Sequence, residues 1–182
     1  MIAPKSKIQK ESARAAGWWE GWSPKSKNGF TIIEALVSIF VLSMGITACI
    51  GLASSALRSS EISKNRLIAA NLAQEGIEVV RNIRDSNWLA SQNFDYGLSD
   101  NTNPGYQAQY NSTSLSTYDG SYLKIDSNGV YSYSGATTTT FQRKITISHP
   151  QTYEIEINCY VYWTTKGVSN QILMTEHLYD WK

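Results

Sequence analysis

The sequence is short of the residues that most often do chemistry. Two histidines and two cysteines occur in 182 residues, and charged side chains make up 17%. His149 precedes Pro150 and reads as a surface turn residue, while His177 sits near the end of a strand-like segment. Neither has a nucleophile-and-base pattern around it. No glycine-rich phosphate loop, Ser/His/Asp signature or C-x-x-C spacing is present. These absences argue against an enzyme, and no residue pattern implies a cofactor or a metal. Asp95, Asp100, Asn101 and Asn103 could hold calcium, but their spacing fits no EF-hand loop, and Asn-rich turns are ordinarily just turns. Asn111-Ser112-Thr113 matches a glycan acceptor triplet of a kind that also arises by chance. Cys49 lies inside a long apolar run and Cys159 in a distant strand-like segment, so both are expected to be free thiols. A chain that is 42% hydrophobic must then fold on its core alone, without a disulfide staple. The formal net charge of +1 gives no clear nucleic-acid footprint.

That small net charge conceals an asymmetry. Residues 1–29 hold Lys5, Lys7, Lys10, Arg14, Lys25 and Lys27 against Glu11 and Glu20, a net +4, which leaves −3 for the remainder. A short basic head before an apolar run has the pattern of a positive-inside flank. Pro24 and the Lys-Ser-Lys-Asn-Gly stretch after it do not readily continue a helix, so a flexible cytoplasmic leader is expected over residues 1–29. Its Trp18, Trp19 and Trp22 either touch lipid headgroups or form an incidental aromatic patch. Residues 30–57 then read FTIIEALVSIFVLSMGITACIGLASSAL, with Glu34 as the one charged side chain. As a helix this segment is about 40 Å long, enough to cross a hydrocarbon core of ~30 Å.

The helical period persists to about residue 88. Ile68, Leu72, Val79, Val80 and Ile83 recur at three- and four-residue steps, with Ala69 and Ala73 beside them. Glu61, Lys64, Arg66, Glu75, Glu78, Arg81 and Arg84 take most of the other positions. One long helix is expected, its second half facing the core of a domain that spans 58–182. Residues 89–121 are rich in Ser, Asn, Tyr and Gly, and a structured loop or short strands is expected there. A hairpin is expected over 122–133, around the turn Asp126-Ser127-Asn128-Gly129. Phe141, Ile145 and Ile147 share one face of a strand. Tyr153, Ile155, Ile157, Cys159, Val161 and Trp163 share one face of the next, with Glu154, Glu156 and Asn158 opposite. Residues 166–170 read as a turn and 171–179 as a last strand whose facing is ambiguous. The expected fold is α+β: a long N-terminal helix, membrane-embedded in its first half, packed on an antiparallel sheet over 122–182 with one face in water.

The most informative residues sit where the basic head meets the apolar run: Lys25, Lys27, Asn28, Gly29, Phe30, Thr31, Ile32, Ile33 and Glu34. A charge inside an apolar span costs about 2.5–3.5 kcal/mol at the bilayer centre and less near its edge, so a partner should be sought. A cut before Phe30 frees an α-amino group that is a cation at neutral pH. Held on a rigid helix, that amine reaches the Glu34 of a staggered neighbour better than its own. The pair then exists only in an assembly, and a head-to-tail stagger that does not close makes a helical filament.

The run Lys-Ser-Lys-Asn-Gly followed by Phe-Thr-Ile-Ile-Glu resembles the prepilin cleavage and methylation signature of type IV pilins and of the pseudopilins of type II secretion systems. The resemblance implies a membrane prepilin peptidase that cuts after Gly29 and methylates Phe30, an assembly role for Glu34, and a pilin-like fold. Methylation leaves the amine charged. Gly45, Ala48 and Gly51 would allow close packing of helices. Residues 72–85 and the closing strand also look like those of minor-pilin-like members. Many members close a C-terminal loop with a disulfide, which this chain lacks, and that weighs against a major adhesive pilin. The implied partners are other pilin or pseudopilin subunits, the prepilin peptidase, a membrane assembly platform and the lipid bilayer. The implied location is the cytoplasmic membrane, single-pass with the N-terminus inside and the domain extracytoplasmic, and a cell-surface filament after assembly.

Three other readings stay open. An ordinary signal peptide could be cut near Gly51 and Ala53, against which stand Glu34 and the helical pattern beyond Ala53. A plain single-pass anchor would need no assembly. A monomeric membrane-tethered binding domain would use the tyrosine-rich segment 87–122.

Overall fold

The computed structural model describes residues 29–181. The expected basic leader, with Lys25, Lys27 and the tryptophan cluster, lies outside the described residues apart from Gly29. The described residues divide into two compact units between Leu52 and Ala53. One helix, α1 (Ile32–Leu89), runs through both.

In the first unit α1 begins two residues later than the apolar run, because Thr31 caps it. The Thr31 hydroxyl accepts the Glu34 N–H at 3.3 Å, and its carbonyl accepts the Ala35 N–H at 3.1 Å. Every residue from 36 to 52 is exposed. Ser43 and Thr47 donate their hydroxyls to the carbonyls of Phe40 and Ser43, each at 2.8 Å. Both polar groups are thereby satisfied by the helix itself, which suits an apolar surrounding.

In the second unit the rest of α1 covers one face of an antiparallel sheet. The eight strands are β1 (Asn101–Gln107), β2 (Ser116–Thr117), β3 (Lys124–Ile125), β4 (Tyr131–Ser132), β5 (Thr137–Thr138), β6 (Phe141–Gln151), β7 (Glu154–Thr165) and β8 (Val168–Tyr179). They form a five-stranded sheet of order β2-β1-β6-β7-β8 and a separate three-stranded sheet of order β4-β3-β5. The expected hairpin over 122–133 is present as β3–β4, but it belongs to the small sheet. There Asp126 accepts the N–H groups of Asn128 and Val130 at 2.8 and 2.9 Å. These bonds, the one from Val130 foremost, hold its carboxyl below the ordinary range.

The long strands follow the alternation in the sequence except at Tyr153, which is exposed in the turn before β7 rather than on its inward face. Ile155, Ile157, Cys159, Val161 and Trp163 of β7 point into the core, beside Phe141, Ile145 and Ile147 of β6. Each fully buried aliphatic side chain of this kind contributes about 1.5–3 kcal/mol. From α1 they meet Ala69, Leu72, Ala73, Ile77, Val79, Val80 and Ile83, with Ile68 partly buried against them, which is the predicted stripe with Ile77 added. Phe94, Leu98 and Ala108 close the core from the segment read as loop or short strands. That segment holds β1, which pairs with β6 through an irregular register between Asn101 and Tyr106.

Four local expectations are corrected. Arg84 was placed with the exposed charges, yet it is buried. It bonds Asp85 through both Nε and Nη2 at 2.8 Å and lies 4.4 Å over the Trp88 ring. Stacking an aliphatic stem and a planar cation against an aromatic ring lets the last turn bury an arginine. His149 is inside β6 rather than on a turn, since the strand continues through Pro150 to Gln151, and its Nδ1 lies 2.5 Å from Asp100 Oδ1. The last turn is confined to Lys166 and Gly167. Both have left-handed backbone, with φ of 52° and 80°, as a two-residue hairpin requires. β8 therefore starts at Val168, not near 171. It turns Ile172, Met174 and Leu178 toward the core, which settles its facing.

Gly76 marks the closest approach of helix to sheet. A Cβ there would lie 2.7 Å from Cys159 Sγ and 3.0 Å from Arg143 Cδ. Gly76→Ala gains ~1 kcal/mol of helix propensity, but it overpacks a fully buried contact at a cost of about 1–3 kcal/mol. A net loss of up to about 2 kcal/mol is expected by thermal unfolding, with much of it recovered in Gly76→Ala/Cys159→Ala. An unchanged melting temperature in the single variant would remove the close contact.

Candidate functional site

The junction predicted to matter is built by the start of α1. Gly29, Phe30 and Thr31 precede the helix and carry no regular structure; all three are exposed, Phe30 by 68%. The Gly29–Phe30 peptide is thus presented in irregular chain, the form a protease groove can take in as an extended strand. Glu34 is the third helical residue. There the unpaired N–H groups of the first turn favour a carboxylate by about 0.3–1 kcal/mol. Its backbone N–H is taken by Thr31, and its carboxylate makes no hydrogen bond or ion pair among the described residues. The late start of α1 changes one physical premise. Phe30 is not on the rigid helix, so helix rigidity does not by itself keep its amine from the Glu34 of the same chain. The Thr31-x-x-Glu34 spacing of a capping box was visible in the sequence and is the signal that sets this start.

Downstream, Gly45, Ala48 and Gly51 step by three residues and fall within about 120° of the helix circumference. A Cβ on Gly45 or Gly51 would meet no atom within 4 Å, so both leave an open notch. Around them the apolar side chains are exposed, from Ile32 at 82% to Ile50 at 62%. A run of such length left uncovered marks a surface meant for lipid or for another apolar chain. By length and composition α1 can cross a membrane, and the window that qualifies is 0% buried.

The other residues weighed in the sequence do not converge on this junction. His177 Nδ1 lies 2.8 Å from Glu154, which also accepts the Tyr179 hydroxyl at 3.0 Å. Asn101 bonds the backbone of Gly105 through both side-chain atoms, and Asp100 is taken by His149. Cys49 is exposed and Cys159 buried, and they form no bridge. Burial pushes the Cys159 thiol up to about 12, which keeps it protonated.

The sequence reading missed a buried ion pair. Arg143 lies on the core face of β6 between Phe141 and Ile145, with its side chain wholly buried. Its Nη1 donates to Leu72 O and to Glu75 Oε1, both at 2.9 Å, and its Nη2 donates to Ala108 O. One guanidinium thus joins helix, sheet and the β1 segment. An arginine at the inward step of an otherwise apolar alternation was the available signal.

Residues 24–50 match the family described as the prokaryotic N-terminal methylation motif, the signature of type IV pilins and pseudopilins. No curated protein and no solved structure matches the chain. Together with the uncovered apolar helix and the helix-on-sheet layout, the motif supports a membrane-anchored, pilin- or pseudopilin-like protein. It implies processing by a prepilin peptidase and assembly with other pilin subunits in the membrane. It also suggests a structural rather than a catalytic protein.

Proposed function

We propose that the chain is a minor-pilin-like structural subunit of a type IV pilus or related filament. A prepilin peptidase removes residues 1–29, Phe30 becomes the methylated N-terminus, and residues 30–57 serve first as membrane anchor and then as filament core. Residues 58–182 form the extracytoplasmic domain. Glu34 neutralises the freed amine of a neighbouring subunit, and Gly45, Ala48 and Gly51 let helices approach closely. The single observation that carries this reading is the coincidence of the methylation motif at residues 24–50 with a helix that buries no side chain across its apolar window.

Mass spectrometry of the membrane-extracted chain tests it. The expected N-terminus is Phe30 bearing one added methyl group, and Gly29→Leu is expected to leave the chain uncut. An intact Met1 terminus in the unaltered chain, or one beyond Ala53, would overturn the processing. Labelled electron microscopy of the assembled protein separates a surface fibre from the envelope-spanning stub of a secretion machine.

A further inference from the structure

The domain of residues 53–182 has a groove between α1 and the β7–β8 hairpin, with a volume of about 360 Å³. Its apolar wall is Ile62, Trp163 and Val168, and its cations are Arg58 and Lys166. Ile62 is 49% and Val168 63% exposed. Asn65 Nδ2 donates to Thr165 Oγ1 at 3.1 Å, and the left-handed Lys166-Gly167 turn directs the hairpin tip to the helix. There Lys166 Nζ lies 3.0 Å from Glu61 Oε2, in a pair open to solvent. Arg58 has no ion pair or hydrogen bond among the described residues. The groove's first residue follows Leu57, where the exposed apolar run ends. Where a hydrocarbon-facing helix gives way to polar sequence, the adjoining surface meets the headgroup layer.

We propose that this groove seats the headgroup of an anionic glycerophospholipid, its phosphodiester between Arg58 and Lys166 and its glycerol and upper chain carbons against Ile62 and Val168. The inference rests on the membrane-anchor reading. Two features select this occupant. The cations are continuous with the membrane-compatible stretch of the same helix, and the adjoining apolar wall has no use for a free inorganic anion. The exposed Lys166–Glu61 pair is weak and can open to release its lysine to a phosphate.

The test uses the full chain in mild detergent, titrated with dioleoyl phosphatidylglycerol or dioleoyl phosphatidylcholine and read by native mass spectrometry. Phosphatidylglycerol is expected to bind more tightly than phosphatidylcholine. Arg58→Gln/Lys166→Gln is expected to weaken phosphatidylglycerol binding by roughly fivefold to 30-fold, at about fivefold per cation near the surface. Lys64→Gln/Arg66→Gln removes the same amount of charge from α1 outside the groove and is expected to leave the preference in place. No preference in the unaltered chain, equal losses in the two double variants, or displacement of the lipid by millimolar inorganic phosphate would each overturn the site. Alkaline carbonate extraction of membranes tests the anchor separately. An extracted chain defeats the anchor reading, whereas a retained chain without lipid preference defeats this inference alone.

Discussion

Replacing Arg143 by alanine is expected to destabilise the 53–182 domain by about 3–5 kcal/mol, through the cavity left by a wholly buried side chain and a buried carbonyl left without its donor. For a domain of this size that lowers the melting temperature by roughly 10–20 °C. The loss has two parts. Removing the guanidinium leaves a void under Gly76 and deprives the Ala108 carbonyl of its donor. Glu75, by contrast, keeps 31% of its side chain exposed and can be rehydrated, so the carboxylate left behind adds little. Arg143→Lys is expected to recover only a fraction, because an ammonium cannot serve the helix carbonyl, the carboxylate and the β1-side carbonyl from one fork. Arg143→Met fills the void without donors and is expected to fall between the two. Thermal unfolding of the full chain in detergent measures the series. Equal melting temperatures for the arginine and alanine proteins would show that the pair does not hold helix to sheet.

Glu34→Ala is expected to leave the chain in the membrane and to lower its incorporation into filaments at least about tenfold, the effect of losing ~1.4 kcal/mol of coupling between subunits. The geometry at the start of α1 makes this substitution specific. Thr31 caps the helix through the backbone N–H of residue 34, which alanine retains. Only the carboxylate and its interaction with the helix N-terminus are removed. Thr31→Ala is the complementary control. It costs ~1 kcal/mol of capping, keeps the carboxylate, and is expected to assemble. Filament yield is scored by sedimentation of sheared fibres against total membrane protein. Full incorporation of Glu34→Ala, or equal defects in both variants, would reduce Glu34 to a helix-start residue.

The sequence disclosed most where a single period governs many residues. The stripe from Ala69 to Ile83 and the five inward positions of β7 each repeat one spacing, and the structure places them in one core. It was least informative where local rules conflict. β1 contains Pro104 and Gly105, which argue against a strand, and both fall in the irregular stretch between the Asn101 and Tyr106 pairings with β6, where a bulge tolerates them. Arg84 and Arg143 are charged residues at buried positions. Each is held there by a partner remote from any pattern of hydrophobicity, Trp88 for one and Glu75 with two carbonyls for the other. At the candidate site, Glu34 stood out as the one charge in the apolar run, whereas Gly29 and Phe30 were singled out by the resemblance of the junction to the prepilin signature. The two-residue offset of the helix start was spelled out by Thr31 and Glu34, but it is masked by an apolar run that looks uniformly helical.

The contrast between the two thiols equips this protein with a built-in reporter. A membrane-permeant thiol dye offered to the folded chain in detergent should reach Cys49, on the uncovered part of α1, well before Cys159, which is shut away in the domain core and stays protonated. Energy transfer or quenching between such dyes on neighbouring copies would then follow association inside the bilayer in real time. No residue need be changed, and later labelling at position 159 would announce that the domain has come apart.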